Sequence, residues 1–265
     1  MGVHAQHRGL VRVLAAASLQ PGDLARIAPL SSCAYFLDAD GTLLDIMPRP
    51  EDVVADEGLR TLLAGLVGAA RGAVGLVSGR AIEDIDRIFA PLILPVSGLH
   101  GAEIRFPDRS RGSSRNDGAM DGVRQSIAGF VAAHPGLRLE DKGAGLAIHF
   151  RRVPELGDEV LEFLGLLAQQ SGLAVQKGKM VAELKQAHHD KGKGIAALLS
   201  NQPFLGRKPV FIGDDLTDEC GFLFVNAQGG VSVRVGPAED ATKAFYRLPD
   251  PASVRAELHR LFAGG

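Results

Sequence analysis

Residues 36–46 read FLDADGTLLDI. Two aspartates, Asp38 and Asp40, stand two apart directly after an apolar run, and Gly41 and Thr42 follow at once. A surface loop could hold such a pair. A working pair would also need a cation, a phosphate clamp and a lid.

Apolar runs AYFL (34–37), AVGLV (73–77), PVFI (209–212) and VSVRV (231–235) have the length and apolar character of buried strands. EGLRTLLAGLVGAA (57–70), AIEDIDRIFA (81–90) and KGKGIAALLS (191–200) have helical patterns and fall between them. This alternation predicts an α/β fold, a doubly wound parallel sheet with helices on both faces. Three polar motifs then fall at predicted strand ends: Asp38/Asp40, Ser78 after AVGLV, and GDDLTDE (213–219) after PVFI. Ligands of open parallel sheets bind where such ends converge.

The middle of the chain has a different character. FPDRSRGSSRNDGAMDG (106–122) is polar and glycine-rich, like a linker or exposed hinge. Beyond it the pattern gives a helix near 119–133, strands LRLEDK (137–142) and GLAIHFR (145–151), a helix at 156–170 and LAVQKGKMVAEL (173–184). A smaller α+β domain is therefore expected at 107–185, inserted into a core made of 1–106 and 186–265. Within the core, residues 1–30 form an N-terminal extension. Its stretch HRGLVRVLAAASLQ reads as an amphipathic helix rather than a signal peptide, because Arg12 interrupts the apolar run.

Composition narrows the function classes. The chain has 265 residues, 46% hydrophobic and 23% charged, with a formal net charge of −2 and no Trp. That balance argues against nucleic acid as a partner, since phosphate backbones demand a basic excess. No segment approaches the ~18 apolar residues of a membrane span. Cys33 and Cys220 lack metal-ligand spacing and read as buried thiols of a cytoplasmic, reducing compartment.

The chemistry of the strand-end residues is specific. Asp38, Asp214, Asp215 and Asp218 bring several carboxylates together. Unit charges 4 Å apart repel by roughly 4 kcal/mol at an effective dielectric near 20. Hard oxygen ligands in such a cluster imply Mg2+. In HDKGKGI, Asp190 can cap a helix whose first turn carries Lys191, and a helix N-terminus with a lysine suits a phosphate. Ser78, before Gly79, adds a hydroxyl.

The order DADGT, VSGR, DKG, GDDLTDE resembles the haloacid dehalogenase superfamily of Mg2+-dependent aspartyl phosphatases. More narrowly, VSGLHGAEIR (96–105), LRLEDKGAGLAIHFR (137–151) and GKMVAELK (178–185) resemble bacterial trehalose-6-phosphate phosphatases. Gln186, in place of the family's usual proline, and Cys220, in place of an acidic residue, depart from that pattern. The resemblance implies a haloacid dehalogenase-like core with an α+β cap, and a monomeric enzyme acting on a phosphorylated disaccharide. It makes Asp38 the nucleophile and Asp40 the acid and then the base, with Ser78 and Lys191 completing the catalytic set. It gives Mg2+ to Asp38, the Asp40 carbonyl and Asp214, supported by Asp215 and Asp218. It gives phosphate to Gly41, Thr42, Ser78, Gly79, Arg80 and Lys191. The sugar falls to His100, Gly101, Glu140, Lys142, His149, Arg151, Lys179 and Glu183. Read as one strand, GKMVAEL would put Lys179 and Glu183 on one face, roughly 13 Å apart at ~3.3 Å per residue, about the length of a disaccharide. Two other readings compete. One is a phosphatase of a different phosphorylated disaccharide or glycoside. The other is a phospho-receiver, which would need neither Asp40 nor the insert.

Overall fold

The computed structural model describes residues 16–47, 49–113, 117–142, 145–171, 173–186 and 190–263. The larger of its two sheets has nine strands. Its parallel centre is β2 (Cys33–Leu37), β3 (Val74–Val77), β11 (Lys208–Gly213) and β12 (Val231–Val235). Around these run β1 (Ala17–Ser18), β4 (Val96–Gly98), β5 (Glu103–Arg105), β6 (Arg111–Ser113) and β13 (Tyr246–Leu248). The order is β1-β13-β12-β11-β2-β3-β4-β5-β6, parallel except at β5 and β6.

The central strands are buried on both faces, so their side chains alternate between two apolar layers. Cys33, Tyr35 and Leu37 join one layer with α1 (Asp23–Ile27), α2 (Glu57–Ala69), α3 (Ile82–Phe89) and α8 (Pro251–Ala263). Ala34, Phe36 and Phe211 join the other with α6 (Lys191–Leu199) and α7 (Glu219–Ala227). Backing on both faces fixes the strand ends, and with them the residues that follow.

The smaller sheet is antiparallel, in the order β7 (Arg138–Asp141), β8 (Gly145–His149), β10 (Val181–Gln186), β9 (Leu173–Gly178). One face packs Leu146, Ile148, Ala182 and Leu184 under α4 (Asp117–Ala133) and α5 (Gly157–Ser171). The other face carries the register row Glu140–Ala147–Glu183–Gln176. Apolar and polar residues alternate as a one-sided sheet requires.

Four expectations need correction. Residues 1–15 lie outside the described residues, but the end of the supposed N-terminal helix is strand β1, paired with β13. The polar stretch 106–122 is more than a linker. It contains β6, which pairs with β5 in the larger sheet, so the smaller unit's described elements begin at α4. Strand β8 ends at His149, and Arg151, expected within the strand 145–151, sits exposed in the following turn. Lys179 is not on a strand face either. Lys179 and Met180 are the two-residue turn of the β9–β10 hairpin, with Met180 at φ 62. In KGKMVAEL the one local mark is Gly178, just before the turn; Met180, left-handed yet neither glycine nor asparagine, gives none.

Candidate active site

β2 stops at Leu37, and Asp38 N–H donates to the Ile212 carbonyl of neighbouring β11. Asp38 is therefore locked at the strand end and is 4% exposed. The chain then folds back, with Gly41 N–H donating to Leu44 O at 2.7 Å. Gly41 has φ 75, and a Cβ there would stand 2.1 Å from Asp214 Oδ2. Only glycine lets the two loops approach so closely.

Lys191 opens α6, whose N-cap is Asp190; the Asp190 side chain accepts from Lys193 N–H at 2.8 Å. Lys191 Nζ donates to Asp38 Oδ1 at 2.9 Å and to Asp218 Oδ1 at 2.6 Å. The second Asp218 oxygen accepts from the backbone N–H groups of Asp214 and Asp215, each at 2.9 Å. Asp218 is thus spent on holding the loop and the lysine. Asp215 forms the capping box of that turn and accepts from Thr217.

The electrostatics follow from this crowding. Burial, then the charges of Asp218, Asp214 and Asp215, push the Asp38 carboxyl well above its ordinary range, against the pull of Lys191. Burial, then the charges of Asp218 and Asp215, push Asp214 up to about 7. Burial raises Asp218 to about 6. Desolvation works against ionisation of Asp215 too, but Lys191 and the Thr217 hydrogen bonds hold it down to about 2. Carboxylate oxygens of Asp38, Asp214 and Asp218 lie within 4.8 Å of one another. One ammonium against these carboxylates leaves a local excess of negative charge, and an all-oxygen donor set of this kind suits a hard divalent cation.

Ser78 and Thr42 are buried nearby. Ser78 Oγ accepts from Arg80 N–H at 3.1 Å and keeps its own O–H to donate. Thr42 Oγ1 is buried without a partner among the described residues. A buried hydroxyl in that state can donate to a ligand or to water. Arg80, expected to meet the phosphate, is paired here with a carboxylate. Its guanidinium grips Asp40 in a fork, Nε to Oδ2 at 2.6 Å and Nη2 to Oδ1 at 2.7 Å.

His100 comes from the strained stretch Leu99–His100, both left-handed at φ 48 and 55, ahead of Gly101 at φ 101. Its ring packs so close to Gly79 that a Cβ there would stand 2.7 Å away. Burial first, then Lys185, Lys191 and Lys142, push its pKa well below the usual 6.5, so it is neutral. From the small sheet's polar face, Glu183 reaches to 3.9 Å of His100 Nε2 and accepts from Lys142 Nζ at 2.9 Å. Glu140 and His149 pair at 2.7 Å on the same face. Lys179 and Arg151 stand apart from this group, exposed in turns.

Between the two sheets lies a cavity of about 190 Å³ lined by His100, Lys191, Gln176, Lys185, Asp190 and Cys220 among others. The sequence reading missed Gln176 and Lys185. Lys185 had a usable signal, since it lies two positions beyond Glu183 and must share its face. Cys220 is exposed here, not buried as expected, while Cys33 is buried.

The trehalose-phosphatase family pattern matches residues 36–252. The chain belongs to the trehalose-phosphatase family. It is 39% identical over 230 residues to the trehalose-6-phosphate phosphatase of Escherichia coli, covering 86% of each chain. It is 37% identical over 234 residues to a probable trehalose-phosphate phosphatase of Sinorhizobium fredii, covering 88% of each. A crystal structure of a trehalose-6-phosphate phosphatase related protein superposes with TM-score 0.73 at 28% identity, covering 88% of this chain and 98% of that one. The fold alone is shared with a HAD-superfamily phosphatase from Bacteroides thetaiotaomicron, at TM-score 0.60 and 18% identity, covering 89% and 95%. The chain is thus a haloacid dehalogenase-like α/β protein, and its trehalose-phosphatase membership leaves no room for the receiver alternative.

Proposed function

We propose that the chain is a Mg2+-dependent phosphatase that hydrolyses trehalose 6-phosphate to trehalose and phosphate through an aspartyl phosphate on Asp38. The observation that carries this is Asp38 itself: buried, bonded to Lys191, and two residues before a carboxylate that remains partly open to solvent. In the first half-reaction an Asp38 oxygen attacks phosphorus and the bond to the sugar oxygen breaks. Asp40 gives its proton to that oxygen, and trehalose leaves. In the second half, Asp40 takes a proton from water, whose oxygen attacks phosphorus. The bond to Asp38 breaks, its carboxylate is restored, and inorganic phosphate departs.

Lys191 faces the phosphoryl charge in both halves. Ser78 and Thr42 donate to the phosphoryl oxygens, and the Gly41 and Gly79 backbones allow close approach. A divalent cation held by Asp38, Asp214 and the Asp40 carbonyl would neutralise part of the phosphate charge, and we assign it as Mg2+ because every donor is a hard oxygen. Asp215 and Asp218 keep those ligands in place.

The small sheet acts as the cap, and its polar face chooses the sugar. Glu183, Lys142, Glu140 and His149 offer charged hydrogen-bonding groups to hydroxyls, and the His100–Gly101 turn meets them from below. Lys179 and Arg151 stand at the rim, where closure of the cap would bring them to a second ring. One chain supplies every group, so a monomer suffices, and two free thiols accord with the cytoplasm. The test is phosphate release from trehalose 6-phosphate, with and without Mg2+, against a panel of other phosphorylated disaccharides and glycosides. Preference for one of those others would overturn the substrate while leaving the chemistry.

A further inference from the structure

Arg80 follows the Ser78–Gly79 turn, where a phosphate ligand would be sought, yet its side chain points to a carboxylate of the chain itself. Both Asp40 oxygens are engaged, by Nε at 2.6 Å and Nη2 at 2.7 Å. A fork–fork pair fixes the plane of the carboxylate as well as its place. The arginine is anchored at its own backbone. Its N–H donates to Ser78 Oγ at 3.1 Å, and its carbonyl accepts from Leu99 N–H at 3.0 Å. Its side chain is 14% exposed, against 36% for Asp40. The better buried partner, anchored at its backbone, therefore holds the more open one. Burial works against the guanidinium's charge, but Asp40 first, then Asp84 and Glu140, outweigh it.

We infer that Arg80 is a positioning residue for Asp40 rather than a phosphate ligand. This rests on the acid–base reading of Asp40 given above. When Asp40 passes its proton to the departing sugar oxygen, it becomes the carboxylate that the guanidinium stabilises. The same fork then presents that carboxylate to water for the second half-reaction. In the acid form, one oxygen carries the proton and the other still accepts from Arg80, so the orientation survives the cycle. The pair also spans the end of β2 and the turn after β3, 40 residues apart. It therefore ties the acid–base group to the same turn that carries Ser78.

The experiment compares Arg80→Gln, Arg80→Lys, Asp40→Asn and the double variant Asp40→Asn/Arg80→Gln, all with Mg2+ present. Arg80→Gln should lower kcat on trehalose 6-phosphate about 10- to 100-fold, with KM and inhibition by inorganic phosphate unchanged within about threefold. Arg80→Lys, which keeps the charge but offers no fork, should fall between. With p-nitrophenyl phosphate, whose leaving group needs no proton, rapid mixing should still give a burst of nitrophenolate from Arg80→Gln, followed by slow turnover. On the Asp40→Asn background, Arg80→Gln should change kcat by less than about threefold, because its effect runs through Asp40. A marked weakening of phosphate inhibition, or a loss that multiplies with that of Asp40→Asn, would show Arg80 acting on the phosphate and overturn the proposal. If Asp40→Asn by itself leaves kcat intact, the acid–base reading falls, and the positioning role with it. Should Arg80→Gln not fold, Arg80→Lys and its double variant with Asp40→Asn carry the same tests.

Discussion

Lys191 Nζ donates to Asp38 Oδ1 at 2.9 Å across 153 residues of sequence, and the two side chains are 3% and 6% exposed. The lysine also holds Asp218, which is wholly buried. Removing it leaves two buried carboxylates facing each other. Lys191→Ala should therefore abolish hydrolysis of every phosphate ester, aryl phosphates included, and cost about 3–5 kcal/mol of stability. Asp38→Asn should abolish turnover too, but without that cost, since it removes a buried charge and keeps a group that can accept from Lys191. Phosphate release and denaturant midpoints of both variants check this. Residual turnover above a trace in folded Asp38→Asn would mean that Asp38 is not the nucleophile.

The carboxylate cluster links metal to pH. In the unfolded chain its aspartates lose their protons near ~4. In the metal-free fold, burial and mutual repulsion hold protons on Asp218 up to about 6 and on Asp214 up to about 7. The fold then binds more protons than the unfolded chain, and the stability from these groups is lost as pH rises through that window. Bound Mg2+ needs the carboxylates ionised and removes their repulsion. The rise in Tm on adding Mg2+ should therefore be larger at about pH 8 than at about pH 5.5, where protons compete for the same oxygens. Thermal unfolding with Mg2+ and with chelator at both pH values measures it. Equal shifts would remove the metal from this cluster.

The four central strands could be read from sequence because burial on both faces makes them continuous apolar runs. β4, β5, β6 and β13 span three residues each, too short for any period to show. The strand-end carboxylates, Ser78 and Lys191 were legible because each follows or opens an element whose end is marked. The Arg80–Asp40 fork was not, because a pairing between two loops leaves no local pattern. The placement of Lys179 on a strand face failed for another reason: the turn's own residues, Lys179 and Met180, are not turn formers, and Gly178 before them was the only local signal.

Cap and core should separate in their effects on substrate. Glu183 is 8% exposed, accepts from Lys142, and lies against Gly145 of neighbouring β8, where a Cβ would stand 2.6 Å from Glu183 Oε1. Losing one charged hydrogen bond to a sugar hydroxyl costs on the order of 1.5–3 kcal/mol, roughly ten- to a hundred-fold in kcat/KM. Glu183→Gln and Lys142→Met should show that loss on trehalose 6-phosphate and leave an aryl phosphate nearly untouched. Lys179→Ala should follow the same selectivity if closure brings the hairpin tip to the sugar. Kinetics of the three variants on both substrates decide it. A matching loss on the aryl phosphate would assign these residues to the fold or the chemistry instead.

Gly101 bears on how the core carries Lys191. It sits at φ 101, and a Cβ there would stand 2.7 Å from the backbone oxygen of Asp190, the N-cap of the helix that Lys191 opens. Backbone cannot step aside as a long side chain can. Gly101→Ala must therefore strain its own φ or push Asp190 and the first turn of α6, and with it the ammonium that faces Asp38. Holding a non-glycine residue in such a conformation costs about 1–3 kcal/mol. The variant should lose about that much stability and should lose kcat on sugar and aryl phosphates alike. Gly122→Ala is the control. Gly122 lies within α4 with no atom that an added Cβ would meet within 4 Å. There alanine should stabilise by about 0.4–1 kcal/mol and leave kcat unchanged. Denaturant unfolding and phosphate release from both variants test the pair. If Gly101→Ala behaves like Gly122→Ala, the close approach of the His100 turn to Asp190 does not hold Lys191 in place.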